Sequence, residues 1–426
     1  MQYDRNNEFL HNYFLLLDKV ENIEEYTKQE LEDLLYSAEN IQIEYDMLQS
    51  TVKVNGNSLY GSFGNEYFEL YDVDIAEDIT TICRHFAILV DRAINNKLKN
   101  WGEKELQIMK NFYPNLQSLR KFEEYDPDTI NDVCVYGDTD SRYIDLEMIH
   151  DLLIDENGNR MKLPEDNKEL IDFSIFFNEN FLSQIIKNSI SEDLDYRNGY
   201  KGFLKMGHEI TTRNCIFIKS KKYAMSKIWQ DGKSFEIPEL KYLGMEIKRG
   251  ETSPQMKKII KKLLYKYLNE GLTTDDIRNE CLKLINYIKS MKKKSIICRY
   301  SSVSGVKEIQ KNSDGVWDCS KNHVQMQIAR NWLNFIEDTD IDNLYKKPFE
   351  GQKMAYYKTV DGSKYKVIGI PDDVDVDNVK GLPEPNWNAM ILQQFIKPLL
   401  KCISDKKEID DKDCENFLIG VKKIVL

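Results

Sequence analysis

The chain has 426 residues, 41% hydrophobic and 31% charged. That globular balance excludes a disordered or fibrous protein and, at roughly 150 residues per domain, leaves room for about two to four domains. Fifty-nine Lys and Arg stand against 71 Asp and Glu, a formal charge of −12, which excludes a uniformly basic nucleic-acid coat but leaves a local basic groove open.

The first 58 residues read as helical and charged, and the opening MQYDRNNEFL has no basic region followed by an apolar stretch, so no secretory signal is expected. Thr27 with Glu30 three residues on has the form of a capping box, opening a long helix towards Asn57. Gly56, Gly61 and Gly64 are expected to break it. Residues 74–101 carry the clearest amphipathic pattern, with Ile75, Ile79, Ile82, Phe86, Val90, Ile94 and Leu98 at threes and fours. Asp74 with Glu77 is its expected cap and Gly102 its stop.

VCVYGDTDSRYIDL, 133–146, reads as two short strands around a tight turn. Segments 210–228 and 234–248 are strand-like and basic. Pro254 opens a helix ended by Gly271, and Thr274 starts a second. Between Lys257 and Arg299 twelve Lys and Arg face four Asp and Glu, a local +8 within an acidic chain. Residues 300–426 mix loops with a helix expected near Asn386–Ile403, and PDDVDVDN, 371–378, reads as a solvated loop. No apolar run approaches the ~18 residues of a membrane span, so no membrane partner is expected. The eight cysteines show no C-x-x-C and the five histidines no H-E-x-x-H. A zinc site or a disulfide framework is therefore not expected, and reduced cysteines in a cytosol are the default.

Four segments could carry chemistry. In YGDTDS, 136–141, Asp138 and Asp140 could offer two hard carboxylates to Mg²⁺, which takes one or two carboxylates plus substrate phosphates. The plainer alternative is a polar turn, since Gly and Asp favour turns. In KVNGNSLYG, 53–61, Lys53, Asn57 and Tyr60 share one helix face, where a lysine could meet a triphosphate and an aromatic ring a base pair. The alternative is a helix end with an exposed lysine and a packed tyrosine. KKYAMSK, 221–227, interleaves basic and aromatic residues as phosphate and groove contacts require, or is a solvated edge strand. KYLGMEIKRGETSP, 241–254, leads into the basic helical pair, which could track a nucleic-acid backbone or be a solvated face.

In this order the four segments resemble the C-terminal part of the family B DNA polymerases, and most of all the T-even bacteriophage type. KVNGNSLYG is similar to the fingers motif K-x-x-x-N-S-x-Y-G, YGDTDS to the palm motif, and Lys221 with Tyr223 to K-x-Y. Lys241, Gly244, Glu246 and Arg249 resemble the palm–thumb junction. About 80 residues separate each of the first three motifs from the next. The resemblance is strong over about 37–260 and weaker beyond.

The resemblance implies an α+β fold: a palm whose antiparallel sheet carries the GDTDS hairpin, a helical fingers remnant and a mainly helical thumb. The implied divisions are 1–58, the C-terminal part of the fingers; 59–253, the palm; and 254–426, the thumb with a C-terminal tail. It implies a DNA-dependent DNA polymerase with two Mg²⁺ ions, Mn²⁺ able to substitute, acting on primer-template DNA and deoxynucleoside triphosphates. Asp140 would bridge both metals, with Asp138 beside it. Lys53 and Asn57 would face the triphosphate and Tyr60 the nascent base pair, with Gly61 allowing close packing. Lys221 and Tyr223 would touch the primer end, and Lys241 and Arg249 phosphates. Glu209 could be a further acid near the metals. Phe417, Leu418 and Ile419 resemble a sliding-clamp segment, with a terminal helix packed on the thumb the equal alternative. A phage source would put the chain in the cytoplasm of an infected bacterium.

The departures shape the expectation. The palm motif D-x-x-S-L-Y-P-S, source of the other bridging aspartate, is absent, as is the exonuclease D-x-E pattern. Arg5 is a poor match for the first fingers helix, and Arg142 stands where the family has an apolar residue, with no account from the sequence. A natural split subunit, which Met1 favours, and an excised fragment are both open. Either way the chain alone is expected to be inert and to need an N-terminal polymerase/exonuclease chain. The competing classes are a non-catalytic DNA-binding scaffold derived from a polymerase, and an unrelated metal-dependent phosphotransferase built on the D-x-D turn alone.

Overall fold

In the computed structural model, Thr27 accepts the Glu30 amide while the Glu30 carboxylate takes the Thr27 amide at 2.8 Å. This closes the expected box and satisfies two amides that have no partner within the helix. The structure describes residues 27–120, 132–138, 141–196, 206–319, 323–341, 344–404, 406 and 408–419. The contacts divide the chain into Met1–Leu89 and Val90–Leu426.

In the first unit, helix α1 spans Lys28–Phe63 without a break. Gly56 and Gly61 do not end it, and Gly64 does. A mid-helix glycine costs about 1 kcal/mol against alanine, which a continuous hydrogen-bond ladder can carry. Six of its apolar side chains face water: Leu35, Ile43, Met47, Leu48, Val52 and Leu59 are 49–66% exposed. Helix α2, Val73–Lys99, is capped by Asp72 rather than by the expected Asp74, because the Asp72 carboxylate accepts the amides of Asp74 and Ile75 at 3.1 Å.

The second unit begins within α2, whose Val90, Ile94 and Leu98 are buried. Gly102 starts α3, Glu103–Lys110, giving its amide to Glu105. Strand β1 (Leu116–Leu119) precedes the ribbon β2 (Cys134–Gly137) and β3 (Arg142–Ile144). Helix α4 (Leu146–His150) leads to β4 (Leu153–Asp155), which pairs antiparallel with β1. The buried His150 ring lies between the Leu146 carbonyl at 2.8 Å and the Tyr113 hydroxyl at 2.9 Å. Helix α5, Asn167–Phe177, continues through a π-helical turn, Asn178–Leu182, into α6, Ser183–Tyr196.

The two expected strand segments are three antiparallel strands, β5 (Ile210–Lys219), β6 (Lys222–Gln230) and β7 (Lys233–Leu243), with β6 in the middle. Asp231 and Gly232, both at positive φ, form the two-residue turn that the right-handed twist of the sheet favours. Ser253 caps α7, Pro254–Asn269, and a Thr273–Asp276 box caps α8, Thr274–Met291, close to the sequence expectation.

The rest is more ordered than the sequence reading had it. A short helix α9 (Lys294–Ile297) and β8 (Arg299–Ser302) precede a two-stranded ribbon, β9 (Gln310–Lys311) and β10 (Trp317–Asp318). Helix α10, Val324–Asp338, was not expected, although Ile328, Ala329, Trp332, Leu333 and Ile336 carry helical spacing. It packs on the sheet β12 (Val367–Pro371), β11 (Lys353–Lys358), β8. Within 371–378, Val376 is buried and Asp377 accepts from Ser295, so this loop is tied down rather than merely solvated. The expected helix near Asn386 is α11 (Trp387–Ile391), joined by a π turn to α12 (Lys397–Ile403), and α13, Asp411–Ile419, follows. One core joins these elements around Trp332, Tyr357 and Phe395. Every described strand pairing is antiparallel, so the fold is a mixed α+β arrangement of helices and antiparallel sheets.

Candidate active site

The Y-G-D-T-D-S segment folds as the expected ribbon. Gly137 pairs with Arg142 and Tyr136 with Tyr143, and the Asp138 amide donates to the Ser141 carbonyl at 3.2 Å. Thr139 and Asp140 lie outside the described residues.

Aromatic packing docks this ribbon on the β5–β6 hairpin. Tyr136 stacks on Phe217 with centroids 4.5 Å apart, and Tyr143 meets the same ring edge-on at 5.1 Å. The Lys221 amide donates to the Tyr136 hydroxyl at 2.7 Å. Lys221 holds a left-handed backbone in the tight turn between the strands. Its carbonyl lies so near Gly244, itself at positive φ, that an added Cβ there would sit 2.1 Å away, so only glycine fits. Two predicted motifs are thereby brought together, with the Lys221 ammonium 3.9 Å from a carboxylate oxygen of Asp138.

Tyr223 is buried, its ring facing Tyr136, Tyr143 and Phe217 rather than open solvent. Burial, its hydrogen bond to Tyr223 and nearby charges including Glu209 raise the Tyr143 hydroxyl above the usual tyrosine range. Glu209 is exposed, and its charge reaches the ribbon at Tyr143. Lys241 is half-buried in β7, opposite Met225.

Arg249 pairs with Glu246 at 2.9 Å, and Lys401 approaches the same carboxylate at 3.4 Å. Both border a cavity of about 830 Å³ that is also lined by Arg299, Lys358, Lys366 and Lys397. Six cations against Glu246, Glu251 and Asp361 make its wall net positive. The sequence reading found Arg249 and missed the other five, which come from β8, β11, α12 and a loop separated along the chain.

Lys53, Asn57 and Tyr60 are exposed on α1 in the first unit, at the expected spacing along the helix. Phe417 is buried in the core and Leu418 packs against it, whereas Ile419 is 73% exposed. The tail residues thus make the packing contacts of the alternative reading, with Ile419 alone projecting.

Arg142 now has an account. Its guanidinium folds back across Gly137, donating from Nη1 to the carbonyls of Asp138 at 2.8 Å and Ser141 at 2.6 Å. Its Nε lies 2.6 Å from the Asp91 carboxylate on α2, a charge contact rather than an aligned hydrogen bond. A Cβ on Gly137 would lie 2.3 Å from Nη1, so this glycine leaves the path for the side chain. Burial raises the Asp91 carboxyl above its ordinary range, with the Arg142 charge opposing the shift.

Asp138 is 30% exposed at the side chain, accessible to an ion, and with Asp140 would make the pair of hard oxygen donors that Mg²⁺ accepts. Among the described residues no group of three His, Cys, Asp or Glu is placed to hold a metal. Among them, too, no helix is long and apolar enough to cross a membrane.

The family model for DNA polymerase family B matches residues 25–163. The chain is 25% identical over 404 residues to the DNA-directed DNA polymerase of Escherichia phage RB69, covering 89% of this chain and 39% of that protein. It is 23% identical over 429 residues to the DNA-directed DNA polymerase of Enterobacteria phage T4, covering 95% and 42%. A shorter match, 33% over 108 residues, covers 25% of this chain and 8% of the DNA polymerase catalytic subunit of Gallid herpesvirus 2. The chain spans about two-fifths of the length of the two phage relatives. By both the matched domain and this similarity along nearly its whole length, the chain is similar to the family B DNA polymerases of the T-even phages.

Proposed function

We propose that the chain is the C-terminal catalytic part of a DNA-directed DNA polymerase, adding nucleotides to a primer 3′-hydroxyl on a template. The observation that carries this reading is the docking of two separate motifs, with Lys221 at 3.9 Å from Asp138. A solitary D-x-D turn would not need that partner. Residues 1–58 act as the end of the fingers, 59–253 as the palm and 254–426 as the thumb.

Asp138 and Asp140 hold the metals. Two Mg²⁺ ions, or Mn²⁺ in their place, would supply charge stabilisation for the in-line transfer. Lys53 and Asn57 orient the triphosphate, and Tyr60 lies against the nascent pair. Lys221 positions the primer end, and Tyr223 supports it from within the aromatic cluster. Lys241, Arg249 and the cationic cavity wall hold phosphates of the duplex, where Coulomb attraction needs no sequence reading. Glu209 is an outer acid.

The D-x-x-S-L-Y-P-S aspartate is not in this sequence, so the remaining carboxylate comes from polypeptide beyond it, along with the exonuclease. Two features support such a complement. Among the described residues the ribbon β2–β3 pairs with no third strand, and an open sheet edge accepts a further strand. Apolar side chains of α1 (Leu35, Met47, Leu48) and of the start of α2 (Ile75, Ile79, Ile82) are exposed. The scaffold reading would leave the Asp138–Lys221 arrangement without a use.

The test is template-directed incorporation, one nucleotide at a time, with Mg²⁺. The assay compares the chain, the chain with the complementary polypeptide (the product encoded beside it is the first to try), and the pair carrying Asp140→Ala. Correct incorporation by the unaltered pair and a loss of about a thousandfold or more in the variant is expected, the scale of losing several kcal/mol of metal-borne stabilisation. DNA binding without incorporation in any mixture would favour the scaffold. The clamp reading of Phe417, Leu418 and Ile419 rests on the exposed Ile419: Ile419→Asp should reduce clamp-dependent processivity and spare distributive synthesis. An equal loss in both would refute it.

A further inference from the structure

We propose that Arg142 is a positioning residue of the metal site, bracing both ends of the turn that carries Asp138 and Asp140 and tying that turn to Asp91 on α2. The inference rests on the reading of these two aspartates as metal ligands. Among the described residues the ladder contributes the Gly137–Arg142 pair and the Asp138 amide to the Ser141 carbonyl at 3.2 Å. Arg142 adds two charge-assisted bonds, one to the residue before the tip and one to the residue after it, at 2.8 and 2.6 Å. Because both bonds come from one nitrogen, the Asp138 and Ser141 carbonyls are held at a fixed separation.

The other end of the guanidinium is anchored. Nε meets Asp91 at 2.6 Å, and the arginine side chain is only 11% exposed, so it has little freedom to swing into solvent. Asp91 also accepts from the Cys134 thiol at the start of β2, so the same carboxylate touches both strands' neighbourhood. The helix segment that carries Asp91 is itself fixed by the buried Val90 and Ile94. Asn95, one turn on, binds the Val133 amide at 3.2 Å and Asp132 at 2.6 Å, a second strut to the same ribbon. The carboxylates are thus held from behind by a rigid element, as a metal site needs. The arrangement also explains why an arginine can stand at 142: the path is open only because residue 137 is glycine.

Charge and positioning predict opposite signs, which makes the proposal testable. A cation beside two metal-binding carboxylates weakens cation binding by repulsion, so removing it tightens binding. A brace, when removed, loosens binding. The experiment is Mn²⁺ titration of the full chain, read as loss of the free-ion electron paramagnetic resonance signal, with thermal melting alongside. Asp140→Ala is the control, and Arg142→Met, Arg142→Lys and Asp91→Asn are the variants.

Asp140-dependent binding in the unaltered chain is expected, weakened about tenfold or more in both Arg142 variants, as for loss of other outer supports of metal ligands. Lysine keeps the charge but not the planar fork, so it should not rescue. Tighter binding in Arg142→Met with normal binding in Arg142→Lys would overturn the proposal in favour of a charge effect. A lowered melting point with unchanged Mn²⁺ affinity would overturn it in favour of a purely structural role. No Asp140-dependent binding in the unaltered chain would overturn the metal-ligand reading and this proposal together. Should Arg142→Met fail to fold, Arg142→Lys and Asp91→Asn decide the matter alone.

Discussion

Helix α2 carries one apolar stripe with two fates. Ile75, Ile79 and Ile82, in the first unit, are 38–49% exposed, while Val90, Ile94 and Leu98, in the second, are at most 2% exposed. Spacing, residue type and helix are the same, so local propensity cannot explain the difference. In the second unit the chain supplies other apolar side chains to exclude water, and at about 25 cal/mol per Å² each buried side chain contributes. In the first, the described residues leave the stripe open, as they do the apolar positions of α1. An amphipathic pattern states which face is to be covered, not what covers it. The complement proposed for the polymerase is a candidate for that cover.

The largest effect that sharpens this comparison is in the second core. Trp332 is fully buried between α10 and its surroundings, so Trp332→Ala should cost about 3–5 kcal/mol, read by denaturant unfolding. Next comes a site residue of the first unit. Lys53→Ala should leave the unfolding curve of the chain in place yet raise KM for the incoming nucleotide about tenfold in the assembled enzyme, the scale of one charge-assisted hydrogen bond. An unaltered KM would remove Lys53 from the triphosphate site.

A third check is pH. Burial holds His150 below the usual histidine range, and burial does the same for His208, which stacks on Trp229. In the unfolded chain both titrate at about 6.5. Folding therefore opposes protonation, and the associated stability is whole above that value and is lost as the pH falls through it towards the lowered folded values. The melting point of the second unit should drop over that window, and His150→Gln should flatten the slope. The smallest effect is the most telling for the comparison. Leu48→Ser and Ile79→Ser should change the stability of the chain alone by no more than about 0.5 kcal/mol, because these side chains lie at the surface and fill no core. Both should weaken association with the complement. A large loss of stability without it would show that the stripe is already covered.

Legibility in the sequence followed how local each cause is. The capped helices α7 and α8 and the ribbon at 133–146 were readable because the deciding contacts lie within three or four residues. The continuation of α1 past Gly56 and Gly61 was not, since the cooperative ladder of a long helix overrides a local cost. Helix α10 had a readable apolar spacing but no side-chain cap to mark its start at His323. At the site, the motifs named Asp138 and Lys221, yet their meeting depends on Tyr136 stacking on Phe217, about 80 residues away. Arg142 was an anomaly in the sequence because its partner, Asp91, lies about 50 residues earlier on another element. The cationic cavity likewise gathers residues from distant segments and has no local signature.

The central claim is that this sequence holds part of a polymerase site and another polypeptide completes it. The most direct measurement is primer extension at a fixed concentration of this chain while the complementary polypeptide is titrated in. The account expects no extension from the chain alone and a rate that saturates at one complement per chain. Extension by the chain alone, at a rate the complement does not raise, would contradict it.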